Sequence, residues 1–141
     1  MYDNIICVSS NLIKGEIFMG TKERFYVDIM AAQQEVTGSC NLLVIKLPND
    51  ETVRGIVDFG LFQEKEHQDY NKELLFKPEQ LDFVIITHNH VDHMGRVPML
   101  YHHGYDGPVY ATKDTCTLMH IGMEDNYKIE KWDAKRNNRK A

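Results

Sequence analysis

The sequence predicts an α+β fold in which a mixed β-sheet carries flanking helices within one domain. Segments rich in β-branched and aromatic residues fill positions 1–60, and segments with helical character follow position 90. Between them an apolar segment runs directly into a histidine-rich loop, within a region 81–141 that holds the loop and the helices. Strands first and helices later are typical of a layered α and β domain, and 141 residues is about one domain's length.

The first part of the chain is predicted to supply most of the strands. The segments with strand composition are residues 5–8, 16–19, 25–30, 41–47 and 53–59. The first two are short and could be strands or one arm of a hairpin. Pro48-Asn49-Asp50 predicts a turn, so the last two are expected to form an antiparallel hairpin.

The second part is predicted to alternate between strands and helices. Residues 64–76 are polar, and a lid, an irregular segment or a weak helix would each fit them. Residues 81–87 are predicted as a strand, and their unbroken apolar centre indicates burial on both faces. Asp92 suits the start of a helix that runs to about His103, where Gly104 ends it.

A further strand and helix follow. Gly107-Pro108 opens a predicted strand at 109–111, and Thr112 is a suitable N-cap for a helix from residue 113 to about residue 123. Residues 125–140 are charged, with helical propensity and little apolar periodicity. Their basic side chains could touch RNA phosphate, but the interleaved acidic residues favour a solvated helix face.

Composition and cysteine usage limit the function classes. The net charge of −5 argues against a dedicated nucleic-acid-binding module, although it does not exclude a nuclease. Cys7, Cys40 and Cys116 are widely spaced without a CxxC pair, which predicts buried thiols rather than disulfides or a cysteine zinc site. No signal peptide and no apolar run of ~18 residues is present. We therefore expect a cytoplasmic protein without membrane contact.

The histidine-rich loop is the strongest chemical feature of the sequence. It reads His88-x-His90-x-Asp92-His93, and neutral imidazoles with a carboxylate suit zinc and similar divalent metals. On an extended segment His88 and His90 point the same way, so they can share one ion. Where the chain turns into a helix, Asp92 and His93 swing to another side and can serve a second ion ~3.5–4 Å away.

Asp58 is the other candidate carboxylate, at the end of an apolar strand. A carboxylate there is costly to bury without a partner, so it could accept hydrogen bonds from the loop and hold it in place. An ordinary strand-end aspartate that faces water is the alternative. The remaining histidines are better explained by helix ends or surface positions: His67, His102, His103 and His120.

These motifs resemble the metallo-β-lactamase superfamily and, within it, the β-CASP ribonucleases, the RNase J-like and cleavage-and-polyadenylation-factor-like enzymes. Residues 57–63 resemble the Asp-bearing first motif, and 86–93 are similar to the second motif. The continuation Met94-Gly95-Arg96-Val97-Pro98 is closer to β-CASP members than to lactamases or glyoxalases. Residues 34–40 and 107–112 resemble the flanking loop and strand, so the resemblance covers about residues 25–125.

The resemblance implies a two-ion site, zinc or alternatively manganese, and an RNA substrate. His88 and His90 would bind the first ion, and Asp92 and His93 the second. Asp92 and Asp58 are the candidate catalytic carboxylates, with Asp58 supporting the loop. The implied reaction is in-line attack of a metal-activated water on the phosphodiester phosphorus.

The resemblance also predicts that the domain is larger than residues 1–141. The third-motif histidine of β-CASP enzymes lies some sixty residues beyond the second motif, whereas 48 residues follow His93. We therefore expect the N-terminal half of an αββα sandwich. Its missing ligands would come from a longer chain, a complementing C-terminal half or another copy in a homo-oligomer.

Three functions remain open from the sequence. The first is a metal-dependent ribonuclease, active when completed. The second is another metallohydrolase of this fold, which acts on a thioester or lactone. The third is a metal-poor piece that only binds or assembles.

Overall fold

The computed structural model describes residues 5–8, 24–31 and 36–138. The strands in these ranges are β1 (Ile5–Val8), β2 (Arg24–Ala31), β3 (Cys40–Lys46), β4 (Thr52–Val57), β5 (Phe83–Ile85) and β6 (Val109–Thr112). The α-helices are α1 (Val91–Met94), α2 (Val97–His102) and α3 (Lys113–Asn138). The α+β prediction is confirmed, while the segment proposed at 16–19 lies outside the described residues.

The strands form one mixed sheet in the order β1-β6-β5-β4-β3-β2. β2, β3 and β4 pair antiparallel, and the predicted hairpin is confirmed by the pairing of β3 with β4. Asp50 adopts a φ of 65° in its turn, a conformation that aspartate tolerates better than most residues. β4, β5, β6 and β1 run parallel, so their carboxyl ends meet at one edge of the sheet.

One face of the sheet carries the hydrophobic core. Ile56, Val84 and Val109 occupy neighbouring positions on β4, β5 and β6, and each is 0% exposed. The helices contribute apolar side chains to the same core cluster: Met94, Val97, Leu100, Cys116, Met119 and Met123. Because successive side chains of a strand point to opposite faces of the sheet, every second residue of each strand contributes to this face.

The opposite face is covered less completely. Phe83, Ile85 and Tyr110 occupy the alternate positions and are only half-buried. The Phe83 ring lies against Gly55 on the neighbouring strand, where a Cβ would meet it at 2.2 Å. A shallow groove of about 480 Å³ is lined by Phe83, Ile85 and Tyr110 among others. The expectation that β5 is buried on both faces is therefore wrong, because in the described residues the helices pack on one face alone.

The helical region differs from the single helix expected between Asp92 and His103. The chain forms α1 and α2, which are separated by Gly95 and Arg96. Pro98 explains the break: it has no N–H for a helical bond to Met94, and proline is tolerated within a helix's first turn. Gly104 takes a φ of 90° and ends α2 as predicted.

Three further expectations can be compared with the structure. The Thr87-containing strand is shorter than residues 81–87, since β5 spans only Phe83–Ile85. The N-cap prediction is confirmed, because Thr112 Oγ1 accepts a hydrogen bond from the Thr115 N–H at 3.3 Å. The helix it caps continues beyond residue 123 to Asn138, so the charged segment extends α3. None of the described helices is both long and apolar enough to cross a membrane.

The polar segment after β4 contains a 3-10 helix at Lys65–Lys72 and a second at Pro78–Gln80. Asn71 fixes the first to the preceding chain, since its side chain accepts from the Phe62 N–H at 2.8 Å and donates to the Phe62 carbonyl at 2.9 Å. Of the alternatives left open by the sequence, a weak helix is the one observed.

The buried thiols make the first testable prediction. Cys40 and Cys116 are each 2% exposed, and burial raises the pKa of Cys40 to about 12, so almost none of its thiolate exists at pH 8. In a Cys7→Ser background, iodoacetamide at pH 8 should label neither thiol until denaturant unfolds the chain. Mass spectrometry measures the labelling, and modification of native Cys40 at the rate of an unfolded control would contradict the described core.

Candidate metal centre

The site begins where two parallel strands end side by side. Val57 of β4 pairs with Ile85 of β5, and the Asp58 N–H then donates to the Ile85 carbonyl at 2.8 Å. β4 ends at Val57, and the next residue, Asp58, takes a left-handed φ of 64°. The strand predicted to reach residue 59 is therefore shorter, because this conformation turns the chain out of the sheet. The turn directs the Asp58 side chain toward the segment that follows β5.

Asp58 is 3% exposed, and its carboxylate accepts hydrogen bonds from the segment that follows β5. Oδ1 accepts from the Thr87 N–H at 2.8 Å, and Thr87 Oγ1 lies 2.9 and 3.0 Å from the two carboxylate oxygens. Oδ2 also lies 2.8 Å from His93 Nδ1. These contacts satisfy a charge that would otherwise be costly to bury. Asp58 thus faces the loop rather than water.

The imidazoles of the loop lie together. The ring centroids of His88 and His90 are 4.6 Å apart, and those of His88 and His93 are 3.9 Å apart. Asp92 Oδ2 lies 3.6 Å from His93 Nε2. The rings therefore form one cluster, with Asp92 at its side, and the division into two ligand pairs stays a prediction.

The chemistry of this donor set fits a divalent metal ion. Imidazole nitrogens and a carboxylate are ligands of zinc and related ions. His93 is bound through Nδ1 to a carboxylate, which leaves Nε2 for an ion, an arrangement that recurs in metal-binding histidines. Within the described ranges no three such side chains already converge on one point. The ligands of any one ion would have to turn toward it or be completed from outside these ranges.

Backbone hydrogen bonds from two neighbouring segments hold the short helix α1 in place. A helix leaves its last carbonyls without intrahelical partners, and neighbouring N–H groups donate to the carbonyls of α1, although that of Val91 also accepts from Gly95 at 2.8 Å. Phe59 donates to the His93 carbonyl at 2.7 Å, Leu61 to that of Val91 at 3.0 Å, and Ser39 to that of Asp92 at 3.0 Å. The segment after Asp58 is therefore hydrogen-bonded to the loop along its length.

Gly60 permits this close approach. A Cβ at Gly60 would lie 1.6 Å from the Asp92 carbonyl oxygen and 2.6 Å from the His93 nitrogen. Both neighbours are backbone atoms, which cannot turn away as a flexible side chain could. The N–H of Gly60 donates to the Ser39 carbonyl at 2.9 Å, so this position joins three segments of the chain.

Arg96 braces the other side of the turn. Its N–H donates to the Phe59 carbonyl at 2.9 Å, and its guanidinium lies 4.3 Å from the centre of the Phe59 ring. The same guanidinium donates to the Glu73 carbonyl. Burial lowers the pKa of Arg96, and the nearby Cys40 and Glu73 oppose that shift. A buried cation stacked on an aromatic ring gains cation–π energy that offsets part of its desolvation.

The structure brings together the residues singled out in the sequence and adds others. His88, His90, Asp92, His93 and Asp58 are all part of the one constellation. Sequence reasoning missed the roles of Thr87, Ser39, Gly60 and Arg96. Thr87 carried one signal, as a polar residue between a buried strand and the first histidine. Ser39, Gly60 and Arg96 lay in stretches that resemble the family, but their roles were not indicated, because their contacts join segments far apart in the chain.

Comparison with known proteins gives consistent results. A family model described as the metallo-β-lactamase superfamily matches residues 36–140. Ribonuclease TTHA0252 of Thermus thermophilus is 44% identical over 98 residues, 70% of this chain and 22% of that protein. Transcription termination factor FttA is 40% identical over 104 residues in Methanothermobacter thermautotrophicus (71% of this chain, 16% of that protein). FttA of Methanocaldococcus jannaschii is 36% identical over 112 residues, which are 77% of this chain and 17% of that protein. The chain thus spans about a fifth of the length of these relatives.

The close approach at Gly60 makes a prediction about stability. Gly60→Ala should lower the free energy of unfolding by about 1–3 kcal/mol or more, because the added methyl group forces two backbone segments apart. Chemical denaturation measures the change. Gly104→Asn is the matched control, since its nearest contact would be 3.9 Å away and asparagine tolerates its φ of 90°. Equal stability of Gly60→Ala and the unmodified chain would contradict the described packing.

Proposed function

This chain belongs to the metallo-β-lactamase superfamily, and from that premise we propose that it forms part of a metal-dependent hydrolase that cleaves RNA. The observation that carries the proposal is the cluster of His88, His90 and His93 beside Asp92, held by the buried carboxylate of Asp58. Histidines in a surface loop without a metal-binding role would not need a buried carboxylate to hold them in place.

Each residue of the cluster has a proposed role. His88 and His90 bind one ion, Asp92 and His93 bind a second, and Asp58 holds His93 by its Nδ1 atom. Zinc is the proposed metal, with manganese as the alternative. When bound, the ions supply Lewis-acid activation of a water molecule and stabilise charge on the scissile phosphate. The chain's own residues orient the ligands and anchor the loop to the sheet.

RNA is the substrate class that the relatives support. One relative is named a ribonuclease and others are named transcription termination factors. The Gly95-Arg96-Val97-Pro98 continuation of the loop favours the RNA-processing branch over thioester or lactone hydrolases. The net charge of −5 is compatible with this substrate, because ions bound in the cluster would meet the phosphate locally.

The active form is proposed to contain more protein than these 141 residues. The relatives are several times longer than the stretch they share with this chain. The further ligands would come from the same chain, from a complementing C-terminal half, or from a second copy. The proposed location is the cytoplasm.

Metal binding and RNA cleavage test the function together. The protein, in the longest form that its gene encodes, should contain about two zinc or manganese ions per chain by elemental analysis and should cleave a 5′-labelled RNA. His90→Ala should lower both the metal content and the cleavage rate, the latter by at least about 100-fold, because it removes a ligand. His102→Ala is the control, since this exposed histidine is the last residue of α2, nine positions beyond His93.

The remaining outcomes each exclude the proposal. Bound metal without RNA cleavage, together with turnover of a generic thioester, would identify another hydrolase of this superfamily. Absence of bound metal from the unmodified protein would leave a binding or assembly role. RNA cleavage that His90→Ala leaves unchanged would assign the activity to another site or to a contaminant.

A further inference from the structure

The hydroxyl of Thr87 lies between the buried carboxylate and the first histidine of the loop. Thr87 Oγ1 is 3.0 and 2.9 Å from the two oxygens of Asp58, and 2.9 Å from His88 Nδ1. All these atoms are within hydrogen-bond distance. Since a threonine hydroxyl has a single proton, it can donate to only one of its neighbours at a time.

The chemistry of the neighbours decides where that proton lies. An ionised carboxylate accepts hydrogen bonds and cannot donate them, so the hydroxyl proton must point to Asp58. A hydroxyl turned the other way would direct its lone pairs at the carboxylate of Asp58, which is 3% exposed, and two sets of lone pairs in contact repel each other. The free lone pair of Thr87 Oγ1 then faces His88 Nδ1, and a stabilising contact at 2.9 Å requires a proton on that nitrogen.

We propose that Thr87 is a positioning residue that holds His88 in its Nδ1–H tautomer, which leaves Nε2 as the atom that binds a divalent ion. The inference rests on the proposed function for its metal and deepens it by adding a residue outside the ligand set. Asp58 orients His93 directly through Nδ1, at 2.8 Å, and orients His88 through the Thr87 hydroxyl. One buried carboxylate thereby fixes two imidazoles.

The position of Thr87 suits this task because its backbone is held as well. The Thr87 N–H donates to Asp58 Oδ1 at 2.8 Å, immediately after the paired strand β5. A β-branched side chain has few rotamers, so the hydroxyl is held at the place where the chain leaves the sheet. Valine has nearly the same shape without the hydroxyl, which makes Thr87→Val a chemical rather than a steric change.

The first measurement needs no metal. Nitrogen-15 NMR of the histidine side chains, in the metal-free protein at a pH where His88 is neutral, distinguishes protonated from unprotonated ring nitrogens. His88 should carry its proton on Nδ1 in the unmodified protein and in Thr87→Ser, and lose this preference in Thr87→Val. A proton on Nε2 of His88 in the unmodified protein would overturn the proposal without any variant having to fold.

The second measurement is calorimetric titration with zinc chloride. Thr87→Val should weaken the binding step that depends on His88 by about 10–100-fold, as is usual when the partner of a metal-binding histidine is lost. Thr87→Ser should stay within about threefold of the unmodified protein. Thr117→Val is the matched control, because the Thr117 hydroxyl is on α3 and donates to the Lys113 carbonyl instead.

The outcomes separate this inference from the proposed function. If the unmodified protein binds no zinc, the proposed function fails, and the NMR spectrum still decides the tautomer of His88. If it binds zinc and Thr87→Val binds equally well with an unchanged His88 signal, the role of Thr87 is overturned while the metal site stands. Loss of affinity in Thr87→Ser as severe as in Thr87→Val would also overturn it, because the hydroxyl would then not be the determining group.

Discussion

The arrangement of the site depends on burying the Asp58 carboxylate at the end of a strand. A charge that is 3% exposed is tolerated only where hydrogen-bond donors replace water. Those donors come from the segment after the neighbouring parallel strand, namely the backbone and hydroxyl of Thr87 and the ring of His93. Satisfying one carboxylate therefore sets the position of the whole loop relative to the sheet.

The backbone around this carboxylate completes the constraint. The left-handed turn at Asp58 lets Phe59, Gly60 and Leu61 run beside α1, where Phe59 donates to the His93 carbonyl and Leu61 to the Val91 carbonyl, which also accepts from Gly95. Glycine is needed at position 60 because this segment and the loop are in contact through their backbone atoms. The ligand-bearing loop is thus held by side-chain contacts with Asp58 and by backbone hydrogen bonds from Phe59 and Leu61. Its imidazoles lie together in one cluster.

The sequence predicted the features that depend on local spacing. The loop 88–93 and its likeness to β-CASP ribonucleases were evident because the donors are contiguous, and the family match confirms that likeness. The hairpin of β3 and β4 followed from the turn at Pro48-Asn49-Asp50. Burial of β5 on both faces was predicted, whereas Phe83 lies on a half-buried face, and the break before Pro98 was not predicted. The first depends on which layers pack together, and the second on how a single proline competes with an otherwise helical pattern.

The separation in sequence of the contacts at Asp58 has a consequence for the order of folding. The ligand-type residues of the loop span six consecutive positions, so they are near one another even in an unfolded chain. Asp58 lies 29 positions from Thr87 and 35 from His93, and such long-range contacts require loop closure before they contribute. The donors therefore exist together before the chain folds, whereas their orientation is acquired only when β4 and β5 pair.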